Sequence, residues 1–252
     1  MSNLLKLIFK IPFFASIYFY TNLFLIFLIA YFRILFKTYS WRYYIYYSRK
    51  ILNLVYKLGA KVYIEGQENL KKVSPPAVIV SNHMSSLETL LFGYLIGKYF
   101  KISFVVKESL LRYPILGKLI KFLEPISVTR KNPKKDFEVV LKNTKKLFNK
   151  GISIIVFPQA TRTKFINEKK FNKIGIKLAR IFKVELLPIC VKTDFLEMGK
   201  IIKDIGKVNP GNSLYIKIFP PIRQDELNLT THTLLVNLFK TTLNNWFKSE
   251  FY

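Results

Sequence analysis

Short β-branched runs alternate with longer helical stretches from Gly59 onward, and this alternation restricts the chain to folds in which helices cover a sheet. Strands are predicted at 61–65, 77–81, 102–106, 125–129, 153–157, 187–191 and 214–219. Helices are predicted at 86–97, 114–123, 133–150, 168–182 and 230–246. The run Ala77-Val78-Ile79-Val80-Ser81, fenced off by Pro75 and Pro76, reads as a buried strand. An α/β architecture of this kind carries its ligand sites at the carboxyl ends of strands.

The first part of the chain follows a different pattern. Phe13 to Leu35 is almost wholly apolar, with Lys6 and Lys10 before it and Arg33 and Lys37 near its end. About 20 apolar residues suffice to cross a bilayer, so a retained membrane anchor is expected in place of a cleaved leader. Trp41 to Leu58 mixes Tyr43, Tyr44, Tyr46 and Tyr47 with Arg42, Arg49, Lys50 and Lys57. That pattern fits a helix lying at a membrane surface, and equally an amphipathic helix packed on a globular domain. Bases on both flanks of the first helix give no orientation, leaving both a single span and a hairpin dipping into one leaflet open. The expected division is an N-terminal membrane-associating segment, 1–58, and an α/β domain, 59–252.

Lys plus Arg outnumber Asp plus Glu by 41 to 15 in 252 residues, and half of the residues are hydrophobic. An acidic disordered protein is excluded, and nucleic acid, an anionic membrane or an anionic substrate remain as partners. Neither zinc-finger spacing, basic heptads nor an RNA-recognition signature is present, so nucleic acid is not expected. The single cysteine, Cys190, lies in an apolar run and reads as a core thiol, which suits a reducing, cytoplasm-facing domain. His232 reads as a surface or capping residue, and no Cys/His metal cluster is expected.

The chemistry concentrates at Asn82-His83-Met84-Ser85-Ser86-Leu87-Glu88. His83 falls on the loop after a strand, Ser85 is a candidate N-cap, and Glu88 falls in the first turn of the next helix, where the macrodipole favours a carboxylate. An imidazole held by an anionic partner can take a proton from a hydroxyl and stabilise its own positive charge through that partner. Ser85 and Glu88 also form a capping box, which needs no chemistry. Two further loops place bases beyond strands: Arg162 in Phe157-Pro158-Gln159-Ala160-Thr161-Arg162-Thr163, and Lys107 and Arg130 at the ends of 102–106 and 125–129. A guanidinium there can hold a phosphate through two parallel hydrogen bonds, and all three bases can equally be solvated surface charges.

In this order the segments resemble the PlsC-type lysophospholipid acyltransferases, the 1-acylglycerol-3-phosphate acyltransferase family. The matching blocks are Asn82-His83 with Glu88, Lys107-Glu108 with Pro114 and Gly117, Phe157 to Arg162, and Leu187-Pro188-Ile189. They span about residues 60 to 220, and four blocks in order are far more specific than one. This sequence has Glu88 where most members carry Asp, Gln159 for the usual Glu and Ala160 for the usual Gly. The resemblance implies a mixed sheet flanked by helices, with N-terminal hydrophobic helices that associate with a membrane.

It also implies that His83, oriented by Glu88, deprotonates the free hydroxyl of a lysophosphatidate. The alkoxide would attack the thioester of acyl-CoA or acyl carrier protein and yield phosphatidate. Arg162 with Thr161, Lys107 and Arg130 would bind the acceptor's phosphate. Neither metal nor redox cofactor is implied, and without a Gly-x-Ser-x-Gly elbow no acyl-enzyme is expected. The expected location is the cytoplasmic membrane, with the site on its cytoplasmic side and an anionic bilayer as partner. Another lysolipid acceptor, such as a lyso-ornithine lipid, is the nearest alternative. A membrane lipid-binding protein without catalysis is the more distant one.

Overall fold

The computed structural model describes residues 8–199 and 203–249; Lys6 lies outside them. Two helices, α1 (Pro12–Leu35) and α2 (Trp41–Lys57), precede β1 (Val62–Glu65), β2 (Val78–Ser81) and α3 (Leu87–Leu95). Then follow β3 (Ile102–Lys107), α4 (Leu116–Phe122), β4 (Ile126–Val128), α5 (Pro133–Phe148) and β5 (Ser153–Val156). The chain continues through α6 (Ile174–Phe182), β6 (Leu186–Lys192), β7 (Leu214–Ile218) and α7 (Thr231–Ser249).

The strands form one sheet in the order β1-β7-β6-β2-β5-β3-β4. Every pairing is parallel except β6 with β7, which is antiparallel. The sheet is therefore mixed, and the carboxyl ends of its parallel neighbours β6, β2, β5, β3 and β4 open along one edge. Thr193, His83, Phe157, Lys107 and Arg130 stand at or just beyond those ends, which gathers residues far apart in sequence.

Strands buried on both faces read as continuous apolar runs. Val78, Val80, Ile154 and Leu186 belong to a core cluster with α5, α6 and α7, whereas Ile79, Ile155 and Leu187 belong to one with α1, α2 and α3. The alternation assigns each helix group to its own face of the sheet. Gly175 permits the close approach of α6, since a Cβ there would come within 2.5 Å of Val80 Cγ2 on β2.

α2 packs against the α/β domain. Tyr47, Ser48, Ile51, Leu52, Leu54 and Val55 are buried, and Ser48 Oγ donates to the carbonyl of Leu90 on α3. α1 is docked as well: Ala15, Phe19, Leu23 and Ala30 form a buried stripe, and Tyr20 Oη donates to Gly206 O while accepting from Gly206 N. Its other sides expose Phe14, Leu25, Ile29 and Phe32.

The helix predicted over 168–182 is broken. A 3-10 turn covers Glu168–Lys170, and α6 starts only at Ile174. Asn172 is the cause: its backbone N–H and its side-chain amide both donate to Pro158 O, while its Oδ1 accepts from Ile174 N. The chain is thereby turned back onto the loop after β5.

Candidate active site

Leaving β2, the chain is fastened to β6. Asn82 Nδ2 donates to Val191 O and Asn82 Oδ1 accepts from Val191 N, both at 2.8 Å. The side-chain amide thus continues the β2–β6 ladder past the end of the strand. One residue on, His83 O accepts from Thr163 N at 2.8 Å, which ties the turn to the loop after β5.

The His83 ring is held from two directions. Nδ1 lies 2.6 Å from Glu88 Oε1, and the ring stacks on Phe157 with centroids 4.2 Å apart. Because a carboxylate can only accept, this contact assigns the neutral ring's proton to Nδ1 and leaves Nε2 as the basic nitrogen. The His83 side chain is 14% exposed and that of Glu88 is 0% exposed.

Glu88 is saturated with donors. Oε1 also accepts from the N–H groups of Met84 (2.9 Å) and Ser85 (3.1 Å). Oε2 accepts from the hydroxyls of Thr193 (2.6 Å) and Ser85 (3.0 Å). Burial by itself would push the Glu88 carboxyl up, but the bond from His83, its charge when protonated and the bond from Thr193 outweigh burial and hold it below the usual carboxylate range. The cap differs from the sequence expectation: α3 begins at Leu87 behind Ser86, whose side chain makes no cap bond, while Ser85 Oγ accepts from Leu87 N.

A cavity of about 1410 Å³ adjoins His83, and Lys107, Arg130 and Arg162 share its lining. The rest of its wall is largely apolar, with side chains from α1 (Ile17, Phe24, Phe27), α2 (Tyr47, Ile51) and α4 (Leu116, Leu119, Ile120) among others, and Asp136, Asp204 and Lys207 also line it. Arg162 is the most enclosed of the three bases, and its guanidinium pairs with Asp204 and donates to Lys203 O. Arg130 has φ +60, its N–H bonded to Asp136 in the first turn of α5. Loss of water contact lowers its guanidinium from the ordinary arginine value, the charge of Arg162 lowers it further, and Asp136 partly offsets both.

Thr161 does not join this set. It is exposed in the loop after β5 and absent from the cavity wall, whereas its neighbours Ala160 and Arg162 line it. Cys190 is a buried core thiol, and burial pushes it well up. His232 Nε2 contacts Phe171 O at 2.8 Å, fastening the first turn of α7 to the segment before α6. Among the described residues no three His, Cys, Asp or Glu side chains gather as a metal site.

Two partners of the site were missed in the sequence: Thr193 on Glu88 and Asp204 on Arg162. Thr193 follows Glu88 by 105 residues and no local spacing points to it. The Leu187-Pro188-Ile189 block, singled out in sequence, marks the strand that delivers it.

A mixed α/β sheet with a histidine–carboxylate pair at the end of a parallel strand, beside a largely apolar cavity that also carries guanidinium groups, is an arrangement suited to general-base chemistry on an amphipathic ligand. The chain belongs to the Acyltransferase family, whose family model matches residues 61–192.

Among its relatives, the chloroplastic 1-acyl-sn-glycerol-3-phosphate acyltransferase LPAT1 of Arabidopsis thaliana is 34% identical over 66% of this chain and 47% of its own length. The 1-acyl-sn-glycerol-3-phosphate acyltransferase of Pseudomonas aeruginosa is 32% identical over 52% of this chain and 49% of its own length. That of Borreliella burgdorferi is 31% identical over 69% and 66%. The chain thus spans about half the length of the first two. The crystal structure of the 1-acyl-sn-glycerophosphate acyltransferase PlsC from Thermotoga maritima shares the fold, with a TM-score of 0.65 and 21% identity over 96% of this chain and 94% of that one.

Proposed function

We propose that this chain transfers a fatty acyl group from a thioester donor, acyl-CoA or acyl carrier protein, to the free hydroxyl of 1-acylglycerol-3-phosphate, giving phosphatidate. The observation that carries this reading is the His83–Glu88 pair at the wall of a largely apolar cavity whose lining also includes Lys107, Arg130 and Arg162. The names of its curated relatives support it.

In the reaction His83 Nε2 takes the hydroxyl proton, and the charge that develops on the ring is balanced by Glu88 through Nδ1. The acceptor oxygen bonds to the thioester carbon, and the tetrahedral intermediate collapses with cleavage of the C–S bond. The imidazolium returns its proton to the departing sulfur, so atoms and charge balance without an acyl-enzyme. Arg162 and Arg130 hold the phosphate and so fix the hydroxyl near Nε2. The exposed apolar side of α1 enters one leaflet of the cytoplasmic membrane from the cytoplasmic side, because its buried stripe and its bonds to residues 206 and 208 already belong to the protein.

The test is transfer of a labelled acyl group to lysophosphatidate by the purified chain, beside His83→Ala. Removal of a general base should lower turnover about 10²–10⁴-fold. Thioester consumption unaffected by His83→Ala would sink the reading and favour a lipid-binding protein.

The position of Asp204 on the cavity wall, beside Arg162, is the observation behind one second reading, an acceptor whose headgroup carries an ammonium that competes with Arg162 for Asp204, such as a lyso-ornithine lipid. In an acceptor panel, indifference to the phosphate would select it.

A further inference from the structure

We propose that Thr193 is a positioning residue for the His83–Glu88 pair: its hydroxyl holds one carboxylate oxygen of Glu88 so that the other stays aimed at Nδ1 of His83. This deepens the acyl-transfer reading and rests on it. A carboxylate at the end of three rotatable bonds has no fixed orientation of its own, so its donors set where Oε1 points: the N–H groups of Met84 and Ser85 at Oε1 itself, and at Oε2 the N–H of Ser85 (3.2 Å) with the two hydroxyls. Thr193 Oγ1 lies 2.6 Å from Oε2, within the range of a charge-assisted O–H···O⁻ bond. Ser85, the other hydroxyl at that oxygen, has one proton and stands 3.0 Å both from Oε2 and from Thr193 Oγ1. Thr193 is therefore the tighter anchor, and Ser85 supports it.

The anchor is itself rigid. Thr193 N–H donates to Met84 Sδ at 3.3 Å, and the residues on either side, Lys192 and Asp194, form a buried ion pair at 2.7 Å. Asn212 Nδ2 contacts the other oxygen of Asp194 at 3.2 Å. Two residues earlier, Val191 carries the paired bonds to Asn82. The end of β6 thus grips the histidine loop through the Asn82 side-chain amide and Met84 Sδ, and the carboxylate at its far oxygen.

A chemical consequence follows from the proton that His83 must hold between the two halves of the reaction. A buried carboxylate facing an imidazolium tends to draw that proton off the ring. A donor on Oε2 stabilises the anion, makes it a weaker acceptor, and leaves the proton on His83 for the departing sulfur.

The experiment compares wild type, Thr193→Val and Thr193→Ser, each also in a Glu88→Gln background, in the purified full chain. Its first arm measures kcat and KM for acyl transfer to lysophosphatidate. Thr193→Val should lower kcat about 10- to 100-fold, the loss of one hydrogen bond to a charged group, with KM nearly unchanged. Thr193→Ser should retain kcat within a few-fold, and in the Glu88→Gln background Thr193→Val should add no further loss. The second arm follows the deshielded Nδ1 proton of His83 by NMR on histidine-labelled protein, assigned with His83→Ala since the chain has two histidines. That resonance should move upfield in Thr193→Val and stay in place in Thr193→Ser.

Wild-type kcat in Thr193→Val, or the same loss with and without Glu88, would overturn the proposal. So would an unmoved Nδ1 resonance, which decides the matter even if wild type transfers no acyl group and the acyltransferase reading falls. If Thr193→Val does not fold, Thr193→Ala, which adds no bulk, carries the same expectations.

Discussion

At Glu88 the backbone donors of Met84 and Ser85 and the imidazole of His83 converge on one carboxylate oxygen, while hydroxyls hold the other. Capping and orientation, which stand as alternatives in the sequence, are functions of the same buried group. Because the folded protein holds this carboxyl below its ordinary range, the ionised group stabilises the fold above the unfolded value of about 4.3. That stabilisation is lost as pH falls through the lower folded value. Thermal unfolding measured from pH 6 to pH 3 should therefore show a smaller acid destabilisation in Glu88→Gln than in wild type. The same variant should transfer acyl groups about 10²–10⁴-fold more slowly, because a neutral amide cannot balance an imidazolium. Ala160 shows what its departure from the family's usual glycine entails, since its φ is +53, where an L side chain is strained. Ala160→Gly should raise stability by roughly 1 kcal/mol in chemical denaturation, glycine's greater backbone freedom offsetting part of the relieved strain.

The strands were legible because their signal is local. Seven short β-branched runs bounded by turn residues became seven strands, and β6 extends its predicted range by one residue at each end. α6 was misread because the break at Asn172 depends on Pro158 O, fourteen residues away, and helical periodicity carries no trace of that bond. The site divides in the same way. His83 and Glu88 are five residues apart, whereas Thr193 and Asp204 reach their partners only through folding across 105 and 42 residues. Sheet order is the long-range information that single-sequence patterning lacks. Gly175 tests how tightly one such pairing is built, because Val80 Cγ2 stands where its Cβ would go and a branched side chain on a buried strand has little room to retreat. Gly175→Ala should destabilise the protein by about 1–3 kcal/mol in urea denaturation, the usual cost of overpacking. Since β2 carries the histidine loop, kcat should fall along with stability.

On the scale of the whole molecule, the two faces of the sheet meet different surroundings. One face is covered by α5, α6 and α7, and α5 and α6 carry exposed bases such as Lys134, Lys142, Lys145 and Lys177. The other is covered by α1, α2 and α3, and α1 presents Leu25, Ile29 and Phe32 outward at helical spacing. These three lie off the cavity wall, so lipid contact and substrate contact can be altered separately. On the proposed membrane docking, a formal net charge of +26 would draw the protein toward anionic lipid over about one Debye length, and burial of α1 side chains would supply an attraction that salt does not screen. Binding to anionic vesicles should therefore weaken with added salt to a plateau above zero, whereas Ile29→Asp should abolish the plateau. Placing one carboxylate in the apolar layer costs about 2.5–3.5 kcal/mol, which corresponds to roughly 10²-fold in partitioning. Turnover of short-chain substrate dispersed in detergent should be unchanged in Ile29→Asp, since the side chain touches neither the cavity nor the His83 loop. Vesicle flotation across a salt series, run beside that assay, checks both expectations, and wild-type flotation by Ile29→Asp would remove α1 from the membrane.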